Sequence, residues 1–70
     1  MKLSYYPETD SLYIALSEHA GIDTQEISEG IQLDYDTNGN LVGIDIDNAS
    51  AKVQLQELIV SNFPSEVRAV

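Results

Sequence analysis

Ile31-Gln32-Leu33-Asp34-Tyr35-Asp36-Thr37-Asn38-Gly39-Asn40-Leu41-Val42-Gly43-Ile44-Asp45-Ile46 is the stretch that decides the fold. Apolar and polar residues alternate on both sides of Asn38-Gly39, which is the period of a half-buried strand. Asn-Gly is the preferred pair for a two-residue type I′ turn, because both central positions need positive φ. With that turn, Tyr35 is predicted to oppose Val42, Leu33 to oppose Ile44, and Ile31 to oppose Ile46. All six apolar side chains then share one face, and a slip of one residue would scatter them.

A second hairpin is predicted upstream. Leu3 and Tyr5 alternate with Ser4 and Tyr6; Leu12, Ile14 and Leu16 alternate with Tyr13, Ala15 and Ser17. Pro7-Glu8-Thr9-Asp10 between them has turn chemistry, since Pro fixes φ and Asp can bond nearby backbone. A four-residue loop there sets Tyr6 opposite Ser11, Tyr5 opposite Leu12 and Leu3 opposite Ile14. Directly opposed residues point to one face, so Leu3, Tyr5, Leu12 and Ile14 come together. Glu18-His19-Ala20-Gly21 reads as a loop. Ile22 to Ile27 reads as a polar edge strand, and Ser28-Glu29-Gly30 as a turn.

From Asn48 the period changes. Asn48 or Ser50 is a candidate helix cap. Ala51, Leu55, Leu58, Ile59 and Asn62 share one stripe at helical spacing, and Asn62 with Pro64 stops it. Residues 65–70 carry no signal and are expected to fray. An apolar sheet face and an amphipathic helix bury one another. The predicted fold is α+β: an antiparallel sheet of four or five strands (two hairpins) covered by a C-terminal helix, in a single domain over residues 1–64.

Composition bounds the function. The chain has 70 residues, twelve Asp and Glu, three Lys and Arg, and a formal charge of −9. Lys and Arg drive nucleic-acid binding by displacing counterions from phosphates, and a polyanion lacks that drive. An anionic membrane surface repels it equally. Basic proteins and cations are the natural counterparts. The 43% of apolar residues is enough for a core. With no cysteine, disulfides and thiolate zinc sites drop out. No stretch reaches the length of a membrane helix, and the first residues lack the apolar run of a signal peptide, so a cytoplasmic protein is expected. A chain this short has a small core and no covalent staple, which points to a homodimer.

Catalytic candidates are few. Asp34 to Asp45 imitates a calcium-binding EF-hand loop, with oxygens at positions one, three and five, Gly at six and an acid at twelve. Against it, the last ligand is the short Asp45, and the flanks alternate with period two where helices are required. Asp34, Asp36 and Asp45 fall on the face opposite the core, where carboxylates usually stay solvated and ionised. His19 is the only histidine and sits in a loop, so zinc and nucleophile constellations lack their parts. The four glycines are scattered and make no phosphate loop. The expectation is no enzyme, no cofactor and no metal. Tyr6, Tyr13, Ala15 and Leu41 fall on the second face of their hairpins and make a candidate contact patch. Tyr6, Tyr13, Leu41, Asp34 and Asp36 are the candidate partner-binding residues.

Tyr5-Tyr6-Pro7-Glu8-Thr9-Asp10-Ser11-Leu12-Tyr13-Ile14, Gly30-Ile31-Gln32-Leu33-Asp34-Tyr35-Asp36, Gly39-Asn40-Leu41-Val42-Gly43-Ile44-Asp45-Ile46 and Ala49-Ser50 together resemble domain of unknown function 2283, a family of small prokaryotic proteins. The resemblance covers about residues 1–51. The family has no assigned activity, so it supplies no catalytic residues. Some members resemble antitoxins encoded beside a small ribonuclease-like toxin, which implies a basic, toxin-like protein partner here. The expected function is therefore a non-enzymatic protein-interaction module, in its sharpest form an antitoxin-like inhibitor of a basic nuclease-type partner. The alternative is a small cation-binding domain or enzyme using surface carboxylates.

Overall fold

A computed structural model describes residues 1–64; the predicted tail, 65–70, lies outside the described residues. Five strands, β1 (Lys2–Tyr6), β2 (Ser11–Ala15), β3 (Asp23–Ser28), β4 (Ile31–Tyr35) and β5 (Leu41–Ile46), precede one short helix, α1 (Ala49–Lys52). The fold is α+β. All neighbouring strands are antiparallel, in the order β1-β2-β5-β4-β3. Strands β3, β4 and β5 form a meander, and β2 returns by the longer connection 16–22 to lie beside β5. This is a Greek key with β1 added at the edge.

The first hairpin has the predicted register: Leu3 pairs with Ile14, Tyr5 with Leu12 and Tyr6 with Ser11. Thr9 N–H donates to Tyr6 C=O at 3.3 Å, and Asp10 takes φ 53° to close the four-residue loop. β2 then pairs with β5, Leu12 to Ile46 and Ile14 to Ile44. Two apolar ladders thus cross the sheet, Leu3-Ile14-Ile44-Leu33 and Tyr5-Leu12-Ile46-Ile31. The polar edge strand predicted over residues 22–27 is β3, exposed along its whole length.

The central hairpin differs at its tip. Leu33 opposes Ile44 and Ile31 opposes Ile46 as predicted, but Tyr35 opposes Leu41 instead of Val42. Asn38 does not take positive φ; only Gly39 does, at 81°, which rules out type I′ geometry. Asp36 is the cause. Its carboxylate accepts Asn38 N–H and Asn40 N–H, both at 2.9 Å. Gly39 N–H closes on Asp36 C=O at 3.1 Å, and Asp36 N–H on Asn40 C=O at 2.9 Å. The result is a three-residue loop, a type I turn with Gly in the left-handed position. The register shift before Asp34–Gly43 then restores the predicted pairing below. Val42, at the irregularity, is 4% exposed, and it lies with Asp34 against Gly21 of the 16–22 connection.

The larger correction concerns the helix. It spans Ala49–Lys52 only; Val53 is already extended, at φ −132° and ψ 155°. Leu55, Leu58, Ile59 and Asn62 therefore do not form a helical stripe. Asn48 stands at the N-cap but in the left-handed conformation, with no side-chain cap bond and no acidic residue in the first turn. The sequence beyond it is short for a helix that lacks tertiary packing, and Val53, Ile59 and Val60 are β-branched.

The cap comes from forty residues away. Asp10 C=O accepts Ala49 N–H at 2.8 Å. Its carboxylate accepts Ser50 N–H at 3.1 Å, Ser50 Oγ–H at 2.6 Å and Tyr5 O–H at 2.7 Å. These donors, Ser50 first and Tyr5 next, hold the Asp10 carboxyl below its ordinary range. A group whose folded pKa is depressed contributes stability above its unfolded pKa and loses it as pH falls through the folded value. Asp10→Asn is therefore expected to lower the melting temperature by several degrees at pH 7. The gap to the wild type should close once pH drops below the carboxylate range. Thermal melts across that range check this; a gap that persists at pH 2 contradicts it.

Candidate functional site

Successive strand residues point to opposite faces, so the apolar ladders imply two polar ones behind them. One runs Ser4-Tyr13-Asp45-Gln32-Glu26 and the other Lys2-Ala15-Gly43-Asp34-Thr24. Asp47 joins this face near Ser11, whose Oγ–H donates to it at 3.5 Å.

Tyr13 organises the face. Its ring lies over Gly43, where an added Cβ would come within 2.6 Å of Cζ. Only a residue without a side chain leaves that space. From there Tyr13 O–H donates to Asp34 Oδ2 at 2.9 Å, and Thr24 Oγ1–H donates to Asp34 Oδ1 at 2.7 Å. Both carboxylate oxygens of Asp34 thus hold a hydroxyl, one from β2 and one from β3. The Asp34 hydrogen bond pushes the Tyr13 phenol above its ordinary value, with burial and charge adding to it.

Among the described residues, Asp45 has no such partner. It is half-buried, and its carboxyl is raised first by desolvation, then by the charges of Asp47 and Asp34. Negative charge is thus concentrated around one carboxylate that no described residue neutralises.

The sequence-predicted candidates separate. Tyr6, Tyr13 and Asp34 share this polar face; Tyr6 is 54% exposed and pairs with Ser11. Asp36 does not join them. Its carboxylate is turned into the hairpin loop, and the backbone bond from Asn40, ahead of that from Asn38, lowers its pKa. Leu41, predicted beside Tyr6 and Tyr13, pairs instead with Tyr35 and so moves to the apolar side, because the wider loop shifts it by one residue. Sequence reasoning missed Asp45 as the frustrated acid. Its signal was the Asp45-Ile46-Asp47 alternation, which sets two acids on one face.

Among the described residues, no three His or acidic side chains are grouped to hold a metal ion, and no helix is long and apolar enough to cross a membrane. The model of the family Protein of unknown function (DUF2283) matches residues 2–50. No curated protein and no solved structure matches the chain.

Two outcomes are expected. A carboxyl with a raised folded pKa penalises the folded state once ionised, fully so above the folded value. Asp45→Asn should therefore raise the melting temperature at pH 7, and the gain should vanish as pH falls below the ordinary carboxylate range. Pairwise melts of the two proteins read this directly. Calcium, in turn, should leave the melting temperature unchanged at millimolar concentration, because the Asp34 and Asp36 oxygens already accept separate sets of donors. Selective binding to the native state would have to stabilise it, so a rise of several degrees would defeat this expectation.

Proposed function

We propose that this chain, which belongs to the family of proteins of unknown function DUF2283, is a non-enzymatic protein-interaction module acting in the cytoplasm. Its polar sheet face, around Asp45, meets a basic partner. The observation that carries this reading is that Asp45, Asp47 and Glu26 share one sheet face and that Asp45, half-buried, accepts no hydrogen bond from the described residues; burial and the charges of Asp47 and Asp34 raise its carboxyl accordingly. A Lys or Arg brought to this face relieves repulsion that the free chain holds. Charged partners of opposite sign also gain association rate by steering, and the −9 charge extends that field beyond the face itself. Tyr6 lies exposed on the same face, and aromatic residues are enriched at interfaces. In its sharpest form the partner is a basic nuclease-type protein and the chain its antitoxin-like inhibitor, as the family resemblance implies.

The test is affinity capture from the native host, followed by kinetics with the purified partner. The partner should be basic, and its association rate should fall steeply between low and physiological salt. Glu26→Lys combined with Asp45→Asn should slow association at least tenfold, whereas Glu57→Gln, away from this face, should change it little. An association rate indifferent to both salt and the face substitutions would refute the reading.

A further inference from the structure

The central loop carries a reactive pair that the interaction surface does not use. Asn38 precedes Gly39, and both are exposed. A side-chain amide is lost most readily from Asn-Gly, because glycine has no Cβ to shield its backbone nitrogen. The other asparagines, Asn40, Asn48 and Asn62, precede Leu41, Ala49 and Phe63, each of which has that shield. The loop around Asn38 is organised by Asp36, whose carboxylate and backbone bond to every residue from 38 to 40.

We propose that Asn38-Gly39 is a latent site of spontaneous covalent modification, held closed by Asp36 in the folded loop and converted to isoaspartate in chains whose loop opens. The co-reactant is water. The Gly39 backbone nitrogen gives its proton to solvent and attacks Cγ of Asn38. The N–Cγ bond forms, the Cγ–Nδ2 bond breaks, and Nδ2 takes a proton from water and leaves as ammonia. Water then adds to the five-membered succinimide. Opening at Cγ leaves aspartate. Opening at the backbone carbonyl leaves isoaspartate, whose main chain runs through Cβ and Cγ and is one carbon longer.

Three features of the folded loop oppose the first step. The first is geometry. Asn38 is the third residue of the type I turn that begins at Asp36, where ψ is ~0°. At that angle the Gly39 nitrogen stands about 120° from Cβ around the Cα–C bond, whereas ring closure needs the two nearly eclipsed. The second is the proton itself. Gly39 N–H donates to Asp36 C=O at 3.1 Å, so the nitrogen that must become the nucleophile is engaged as a donor. The third is charge. The Asp36 carboxylate accepts the N–H groups on either side, from Asn38 and Asn40, both at 2.9 Å. A negative charge so close disfavours a second one on the nitrogen between them.

Conversion runs one way. The added carbon separates the donors that converge on Asp36, and the new carboxylate at position 38 lies beside that of Asp36. A converted chain does not rebuild the loop or the Tyr35–Leu41 register that the loop sets. The loop thus keeps a permanent record of having opened. This inference does not rest on the proposed partner.

The test compares the full chain, native and unfolded in guanidinium chloride, during incubation in mildly alkaline buffer below the melting temperature. Peptide mapping by mass spectrometry follows the gain of one mass unit residue by residue. In the unfolded chain the gain should appear first at Asn38, and in the native chain at least tenfold more slowly. Asp36→Ala, shown to be folded by circular dichroism, should convert at least fivefold faster than the folded wild type. Amide hydrogen exchange reads the same loss of the Gly39 proton, and in the native wild type it should be slowed at least tenfold relative to the unfolded chain. Native conversion as fast as unfolded, earlier conversion at Asn40, Asn48 or Asn62, or a folded Asp36→Ala at the wild-type rate overturns the proposal. Should Asp36→Ala not fold, the Gly39 exchange rate in the wild type decides, and an unprotected amide overturns it.

Discussion

One carboxylate ties the chain's two ends of structure together. Asp10 sits at the tip of the first hairpin, and the helix starts against it. Its oxygens take donors from Tyr5, on the strand before it, and from Ser50, on the helix forty residues later. The backbone oxygen takes Ala49 N–H as well. A helix N-terminus carries orphan donors and a partial positive charge, so an anion there suits it twice over. This clamp supplies acceptors that a four-residue helix lacks by itself, and it acts beside the burial of Ala49 and the bonds from Lys52 Nζ to Asp47 C=O and from Asp47 N–H to Gly30 C=O. The left-handed φ of Asp10, 53°, aims both the carbonyl and the side chain at the helix. The Tyr5 to Asp10 turn is thus a tertiary device as much as a hairpin loop.

What the sequence made legible was whatever period two controls. The register of the first hairpin and the lower part of the central one followed from opposing like with like, because a slipped ladder would put Ile44 and Ile46 in water. What remained illegible depended on a single side chain competing for backbone. Asn38-Gly39 satisfies the rule for a two-residue turn, but Asp36 offers its carboxylate to two amides at once and stabilises the wider loop. The bulge that follows then moves Leu41 across the sheet. The helix was misjudged for the complementary reason. The stripe Ala51, Leu55, Leu58, Ile59 is real as a pattern, but a pattern at helical spacing becomes a helix only where caps and packing sustain it. The cap in this chain serves the first turn alone, and it belongs to a residue far away in sequence.

The pairing of β2 with β5 was equally out of reach of local periodicity, and it has the larger consequence for function. It brings Tyr13 over Gly43 and its hydroxyl to Asp34. Three strands contribute to that contact, with Thr24 from β3 supplying the fourth. Asp34 was a candidate on the grounds that it was an acid on the open face. The fold makes it a joint: its charge is spent on two hydroxyls that lock the first hairpin to the meander. Its neighbour on the same face, Asp45, accepts no hydrogen bond from the described residues.

This division explains how so acidic a small chain folds without covalent staples. Acids that serve the fold, Asp10, Asp34 and Asp36, each accept two or more donors, and donors to an ionised acceptor give stronger bonds than neutral pairs. Charge at these places therefore helps to hold loops and strands that the thin core could not hold alone. Among the described residues, acids without donors lie on the polar sheet face, as Asp45 and Glu26 do, at the edge strand, as Asp23 does, and in the segments between and after the strands. Asp45 is the point where that segregation is strained, since burial and two neighbouring charges act on it together. A stable monomer would have gained from Asn there. The fold instead keeps a carboxylate there, and its ionisation favours the approach of a cation.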